Sequence, residues 1–409
     1  MVYTQRVKNT LKAFDLLRTV FDPTPLQFSK ELSKKHNAKV YLKREDCTPV
    51  RSYKIRGAYT KMDDLCSKGK VETVVTCSAG NHAQGVAFSC VAYQVGGNIF
   101  MPKNTTQQKI QRVKQIGGDY VRVFLEGNTF DECQIAAKAY CEAHSLPFLH
   151  PFDDDKVIEG QGTVAVEIFH QIPEPLDAIV LPIGGGGLAA GVSGYVRDMY
   201  PIGNVYGAGP LGAPAMYQSL LQNRILTLDT IDPFVDGAAV KRVGERNFPI
   251  VQSNIKSVFQ IEDGHICSKI LEMYNDYGMI LEPAGVLSLC ALDKMDLQGK
   301  VVVAVLSGGN SDVFRMPEIL ERSLLYEGKK QYFRIEFSQR AGSLKDFVLQ
   351  VLEKDDDIIY FRYTKRINQE TAPVILGIET KTKEGGLRVE RAMVTAGLVF
   401  TKLQGQVDL

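Results

Sequence analysis

Charge of one sign is missing from this chain: 48 Lys and Arg stand against 47 Asp and Glu, a formal net charge of +1 over 409 residues. That balance gives no electrostatic case for nucleic acid or for an anionic membrane surface. No apolar run is long enough to cross a bilayer. No charged start followed by an apolar stretch marks a secretion signal, because Met1-Val2-Tyr3-Thr4-Gln5-Arg6 leads into polar, helix-like sequence. The eight cysteines, at positions 47, 66, 77, 90, 133, 141, 267 and 290, include no close pair of zinc-finger type. Without a secretion signal they read as reduced thiols. Low-complexity segments and short internal repeats are absent as well. The expected class is a cytoplasmic, soluble protein that takes no metal, nucleic acid or membrane.

What is present is ordinary globular composition, 44% hydrophobic and 23% charged, in a chain long enough for two or three domains. From residue 71 onward, strand-like and helix-like stretches alternate. Strands are predicted over 71–76, 98–101, 120–124, 177–183 and 301–306, with helices over 82–94, 107–114 and 129–143 and another starting near 188. This alternation implies mainly parallel sheets covered by helices on both faces. Past Glu327-Gly328-Lys329-Lys330 the pattern changes to strand 332–337, helix 343–352, strands 358–363 and 374–379, helix 387–396 and strand 398–403. That βαββαβ order is the ferredoxin-like arrangement and marks a separate small domain.

Lys54 lies in Ser52-Tyr53-Lys54-Ile55-Arg56-Gly57-Ala58, between an apparent strand and an apparent helix. An amine there could form a Schiff base with a carbonyl cofactor, although a lone Lys among 48 basic residues ordinarily reads as solvated surface. Its company is three loops at strand ends, where open α/β sheets bind ligands. Gly184-Gly185-Gly186-Gly187-Leu188 joins a buried strand to a helix start, so backbone N–H groups and the helix dipole favour a phosphate. It is no Walker A loop, because Leu188-Ala189-Ala190 follows in place of Lys-Ser/Thr. Gly184, Gly186 and Ala189 match the dinucleotide spacing, yet Val205-Tyr206-Gly207-Ala208-Gly209-Pro210 supplies no acid and Asp198 falls within the helix. On the loops alone, a simple phosphate compound and a dinucleotide both stay open. Ser78-Ala79-Gly80-Asn81-His82 could cradle a carboxylate or could be a plain helix cap, and Ser307-Gly308-Gly309-Asn310 is the third loop.

Together these loops resemble the fold-type II pyridoxal-phosphate enzymes, most closely the biosynthetic threonine dehydratases. The resemblance rests on Lys43-Arg44-Glu45-Asp46, the 52–58 and 78–85 segments, the glycine tract, Glu282-Pro283-Ala284-Gly285 and the 307–310 loop. It implies a two-lobed α/β catalytic domain over 1–320 with a small lobe, about 49–150, inserted. A linker over 321–330 and an ACT-like regulatory domain over 331–409 would follow. The implied reaction is β-elimination on L-threonine to give 2-oxobutanoate and ammonia, with serine as a secondary substrate, since one methyl is worth only about 1–3 kcal/mol. Lys54 would hold pyridoxal 5′-phosphate and remove the α-proton, with Tyr53 beside it. Gly184, Gly185, Gly186, Gly187 and Leu188 would bind the phosphate, Asn81 the ring hydroxyl, and Ser307 would face the pyridine nitrogen. Ser78, Ala79, Gly80, Asn81 and His82 would take the substrate carboxylate.

The resemblance has departures. Tyr53 replaces a common Phe, and Ala208-Gly209-Pro210 stands where many relatives have Val-Glu-Pro. Glu282 reads either as a cation ligand or as a structural salt bridge or cap. The C-terminal domain resembles amino-acid sensors, so inhibition by isoleucine opposed by valine is expected, with Arg340, Gly342 and Leu344 as the effector turn. An oligomerisation module is the plain alternative, and the family is usually tetrameric. A serine racemase and a non-catalytic amino-acid sensor are the competing functions; the appended domain opposes the first and Lys54 the second.

Overall fold

The computed structural model describes residues 3–200, 204–364 and 369–403. They form two compact units, Met1–Asp312 and Val313–Leu409. The strands, in chain order, are β1 (Leu26–Phe28), β2 (Lys39–Arg44), β3 (Thr73–Cys77), β4 (Gly96–Met101), β5 (Val121–Leu125), β6 (Ala178–Pro182), β7 (Asn204–Pro210), β8 (Ile255–Ile261), β9 (Val301–Leu306), β10 (Lys330–Ser338), β11 (Asp357–Tyr363), β12 (Thr371–Glu379) and β13 (Val399–Leu403).

In the first unit β1-β2-β9-β6-β7-β8 make one sheet, parallel except for the antiparallel edge strand β1. The three parallel strands β3-β4-β5 make a second, smaller sheet. Every residue of β6 and β9 is buried, as both-face coverage by helices demands of a central parallel strand. The helix Asp155–Gln171 is buried from Val157 to Ile168 with the single exception of Glu159. It packs against both Gly187–Met199 and Lys54–Lys68. Close approach there needs glycine: a Cβ on Gly160 would lie 2.6 Å from the Arg56 carbonyl. Separate apolar cores serve the two sheets, one around Val164, Leu181 and Val303 and the other around Val86, Ile99 and Leu149.

The C-terminal unit is a four-stranded antiparallel sheet in the order β11-β12-β10-β13, with helices Ser343–Val351 and Lys383–Thr395. Phe333, Ile335, Leu376, Val389 and Met393 form its core. This compact unit runs from Val313, and helix Met316–Tyr326 belongs to it. Packing onto β10 joins the helix to the unit: the Glu321 carboxylate accepts from the Tyr332 hydroxyl at 2.8 Å and pairs with Lys330, both on β10. Strands β3, β6 and β9 all end where a loop rich in small or polar residues begins, and those three ends build the site.

Candidate active site

Lys54 is the first residue of helix Lys54–Lys68. The turn before it is tied to the end of β9: Ser52 bridges Gly308, the Tyr53 N–H donates to the Ser307 carbonyl at 3.1 Å, and the Gly309 N–H donates to the Arg51 carbonyl at 2.9 Å. One turn into the helix, Arg56 is fully buried. Its guanidinium meets Glu45 (Nε–Oε2 2.7 Å, Nη2–Oε1 2.8 Å) and Glu167 (Nη1–Oε1 2.8 Å), while Lys43 Nζ lies 2.6 Å from Glu167. Burial alone would raise the Glu167 carboxyl, but Arg56 and Lys43 hold it at about 2. This network accounts for Lys43 and Glu45, whose buried charges fix the helix that presents Lys54, while Arg44 pairs with Asp46 (Nη2–Oδ2 2.7 Å) beside it.

The Lys54 amine donates to the Pro151 carbonyl at 2.8 Å and lies 5.5 Å from the Tyr53 ring and 6.0 Å from the Phe152 ring. Burial draws it from 10.5 down to about 8, with the Glu282 carboxylate opposing. Two histidines nearby stay neutral. Burial, and then the Lys54 charge, push His82 down to about 3; burial is also the main cause that brings His150 to about 4. His82 Nε2 faces the Leu149 carbonyl at 3.1 Å, and His150 Nδ1 accepts from the Phe152 and Asp153 N–H groups at 3.3 and 2.8 Å. Each therefore carries its proton on Nε2. The His82 ring turns into the core, so the 78–82 loop offers its backbone and Ser78, whose Oγ accepts from the Gly80 N–H at 3.3 Å.

The glycine tract follows β6, and Gly186 caps helix Gly187–Met199 with φ +96°. Side chains there have no room: a Cβ on Gly185 would lie 2.5 Å from the Phe152 ring, and one on Gly184 would lie 2.7 Å from the Ala238 carbonyl. Leu188 is buried in the first turn, where helical N–H groups lack intrahelical partners. Phe152 thus packs against the tract and also lies 6.0 Å from the Lys54 amine. Asp198, the acid weighed for a dinucleotide, sits at the far end of that helix and accepts from Thr4 Oγ1 at 2.6 Å.

Asn81 opens helix Asn81–Tyr93. Its Nδ2 donates to Glu282 Oε1 at 2.6 Å and its Oδ1 accepts from Asn310 Nδ2 at 2.7 Å; Asn310 also donates to the Val50 carbonyl at 2.9 Å. Glu282 lies inside the site, so close to the third loop that a Cβ on Gly308 would be 2.6 Å from Oε1. Burial, then the Asp236 charge, raise its carboxyl to about 7 against the Asn81 bond. Among the described residues no cluster of three or more His, Cys, Asp or Glu could hold a metal. Ser307 is buried at the same place.

Lys54, Tyr53, Asn81, the glycine tract and Ser307 are therefore linked through shared neighbours in the first unit. Arg340, Gly342 and Leu344 belong to the other unit, the first two in the turn after β10 and Leu344 in the first turn of helix Ser343–Val351. There Arg340 pairs with Asp346, Gly342 caps the next helix at φ +93°, and Leu344 is 42% exposed. Sequence reasoning missed the segment Leu149–Asp153 and Asn247, gave Asn310 of the third loop no role, and left Glu282 undecided. Of these, Asn310 already stood in the third loop, and His150-Pro151-Phe152-Asp153 is a turn-like run between helices Phe130–His144 and Asp155–Gln171.

Residues 17–308 match the family of pyridoxal-phosphate dependent enzymes, and residues 321–406 match the C-terminal regulatory domain of threonine dehydratase. A biosynthetic L-threonine dehydratase (IlvA) of Halalkalibacterium halodurans is 48% identical over 406 residues, 99% of this chain and 98% of that protein. One from Bacillus subtilis is 45% identical over 389 residues, 94% of this chain and 92% of that protein. Among solved structures, the processed form of threonine deaminase isoform 2 from Solanum lycopersicum is 35% identical with a TM-score of 0.73, covering 79% of this chain and 89% of that one. Serine racemase from Dictyostelium discoideum is 29% identical with a TM-score of 0.68, over 75% of this chain and 99% of that one.

Proposed function

Given that this chain belongs to the pyridoxal-phosphate dependent enzymes and, among them, to the biosynthetic threonine dehydratases, we infer that Lys54 is its catalytic amine. The enzyme converts L-threonine to 2-oxobutanoate and ammonia; the water lost with the β-hydroxyl is regained on hydrolysis, so the atoms balance. The residues present fit the cofactor. The tract is packed so tightly against Phe152 and Ala238 that only glycine fits, it leads into a helix N-terminus suited to a phosphate, and a desolvated amine lies 6.0 Å from the same Phe152 ring. Pyridoxal phosphate, when bound, supplies an aldehyde that captures amines and a ring that accepts electron density from the carbon losing its proton.

The chain's own groups do the rest. Lys54, drawn to about 8, becomes neutral more readily than a solvated lysine and so can hold the cofactor and then take the α-proton; such general-base catalysis contributes roughly 10²–10⁴-fold. Neutral His82 and His150 add no positive charge beside it. Asn81, oriented by Glu282 and Asn310, keeps one Nδ2–H for the ring hydroxyl. Ser307 would serve the pyridine nitrogen without charging it, Gly184 to Leu188 would take the phosphate, Tyr53 would flank the cofactor, and the backbone of Ser78 to His82 would take the substrate carboxylate. The observation that supports this reading is the shared neighbour Phe152, whose ring packs against Gly185 and lies 6.0 Å from the Lys54 amine. Purified protein should be yellow and release a 2-oxo acid from threonine. Lys54→Ala should lose both properties; retained turnover would overturn the assignment.

The C-terminal unit supports feedback control, with isoleucine as inhibitor, valine as activator and the Arg340–Leu344 turn as the effector site. Unchanged threonine saturation at saturating isoleucine would refute this. Exposed Leu349 and Val394 on its helices suit assembly, and a homotetramer is our reading, to be tested by sedimentation. A cytoplasmic location follows from its biosynthetic role; no helix among the described residues is long and apolar enough to cross a membrane.

A further inference from the structure

Asn247, the first residue of helix Asn247–Asn254, is fully buried against the glycine tract. Its Nδ2 donates to the Gly185 carbonyl at 2.9 Å and to the Phe152 carbonyl at 3.0 Å, so both amide hydrogens are used. Two carbonyls can only accept, which fixes the amide orientation. The Gly185 carbonyl takes a second donor, the Gly244 N–H, at 3.0 Å. A Cβ on Gly186 would lie 3.0 Å from Asn247 Cβ, so the side chain lies flush against the tract. The helix carrying Asn247 is itself pinned to the residue after Phe152: Asp153 accepts the Glu245 N–H at 3.0 Å and the Arg246 N–H at 2.9 Å.

The consequence follows from peptide planarity. In a trans peptide the C=O and the following N–H point to opposite sides. Holding the Gly185 carbonyl on the Asn247 side therefore turns the Gly186 N–H to the other side, away from Asn247. With four glycines in a row the tract has little conformational preference of its own, so an outside clamp must choose its shape. The same amide also fixes Phe152, whose ring occupies the space beside Gly185 and faces Lys54.

We propose that Asn247 is a positioning residue that aims the glycine-tract N–H groups at the cofactor phosphate while joining the tract to the Phe152 segment beside Lys54. This rests on the reading of the glycine tract as the phosphate cradle. Asn247 does not touch the reacting atoms. Its loss therefore weakens binding of the phosphorylated cofactor selectively.

The test strips cofactor from wild type, Asn247→Leu and Asn247→Ser, then titrates each with pyridoxal phosphate and with pyridoxal, which lacks the phosphate. Visible absorbance reports occupancy, and the 31P resonance reports the phosphate environment. Losing two hydrogen bonds predicts about tenfold or greater weakening for pyridoxal phosphate in Asn247→Leu, less than twofold for pyridoxal, and a moved 31P resonance. Asn247→Ser, which keeps one donor, should fall between Leu and wild type. Equal weakening for both ligands, or none for either, would overturn the proposal. If Asn247→Leu fails to fold, Asn247→Ser decides by the same ratio. Wild type that takes up neither ligand would instead remove the cofactor reading on which the proposal stands.

Discussion

Replacing Lys54 by Met in cofactor-free protein should make the fold more stable at neutral pH and less stable in strong alkali. Burial lowers the amine from 10.5 to about 8. At about 1.4 kcal/mol per pH unit between those values, the protonated amine costs the folded state up to about 3 kcal/mol. Below pH 8 the folded and unfolded chains both carry the proton, so the full cost is present. Between about 8 and 10.5 the unfolded chain still holds a proton that the folded chain has released, so rising pH stabilises the wild type and erases the cost. Met removes the charge but leaves the Pro151 carbonyl without its 2.8 Å donor, a loss of about 1 kcal/mol. The net gain near pH 7 is therefore about 2 kcal/mol, or about 3 °C for a unit of this length. The gain should vanish near pH 10 and then reverse. Thermal melts of both proteins from pH 6 to 10.5 check this. A difference that does not change with pH would refute the reasoning.

Glu282→Gln addresses the opposite case. With its carboxyl raised from 4.5 to about 7, the folded chain keeps a proton that the unfolded chain has lost, so rising pH weakens the fold across that window. The Gln variant should gain on wild type in melting temperature between pH 5 and 8 and match it below the window. Gly185→Ala puts a methyl 2.5 Å from the Phe152 ring and should abolish the visible cofactor band while costing about 1–3 kcal/mol of stability. Glu167→Gln leaves Arg56 and Lys43 without their shared carboxylate. It should cost about 3–5 kcal/mol, read as a lowered denaturant midpoint with an unchanged slope.

Much of the fold was legible because the signals are local. The run Val301-Val302-Val303-Ala304-Val305-Leu306 announces a buried strand, and β9 spans those residues. The predicted helix over 129–143 lies within one residue of Phe130–His144, where Thr129 is the side-chain cap. Helix Lys383–Thr395 begins four residues earlier than predicted, because Lys383-Glu384-Gly385-Gly386 carries no apolar periodicity and the cap Thr382 set the start instead. The attachment of helix Met316–Tyr326 to β10 was likewise hidden, since the pairing of Glu321 with Lys330 and Tyr332 is a tertiary contact.

The sequence by itself determined the element types, the three loops at strand ends and the amine between them, because propensity, periodicity and glycine act over a few residues. The tertiary structure decided what surrounds that amine. Lys54 finds its carbonyl 97 residues away, Asn81 its carboxylate 201 away, and Asn247 the Phe152 carbonyl 95 away. Such partners leave no local pattern. They exist only once parallel strands bring their carboxyl ends together, and burial there sets Lys54, His82 and Glu282 to the charges the site uses.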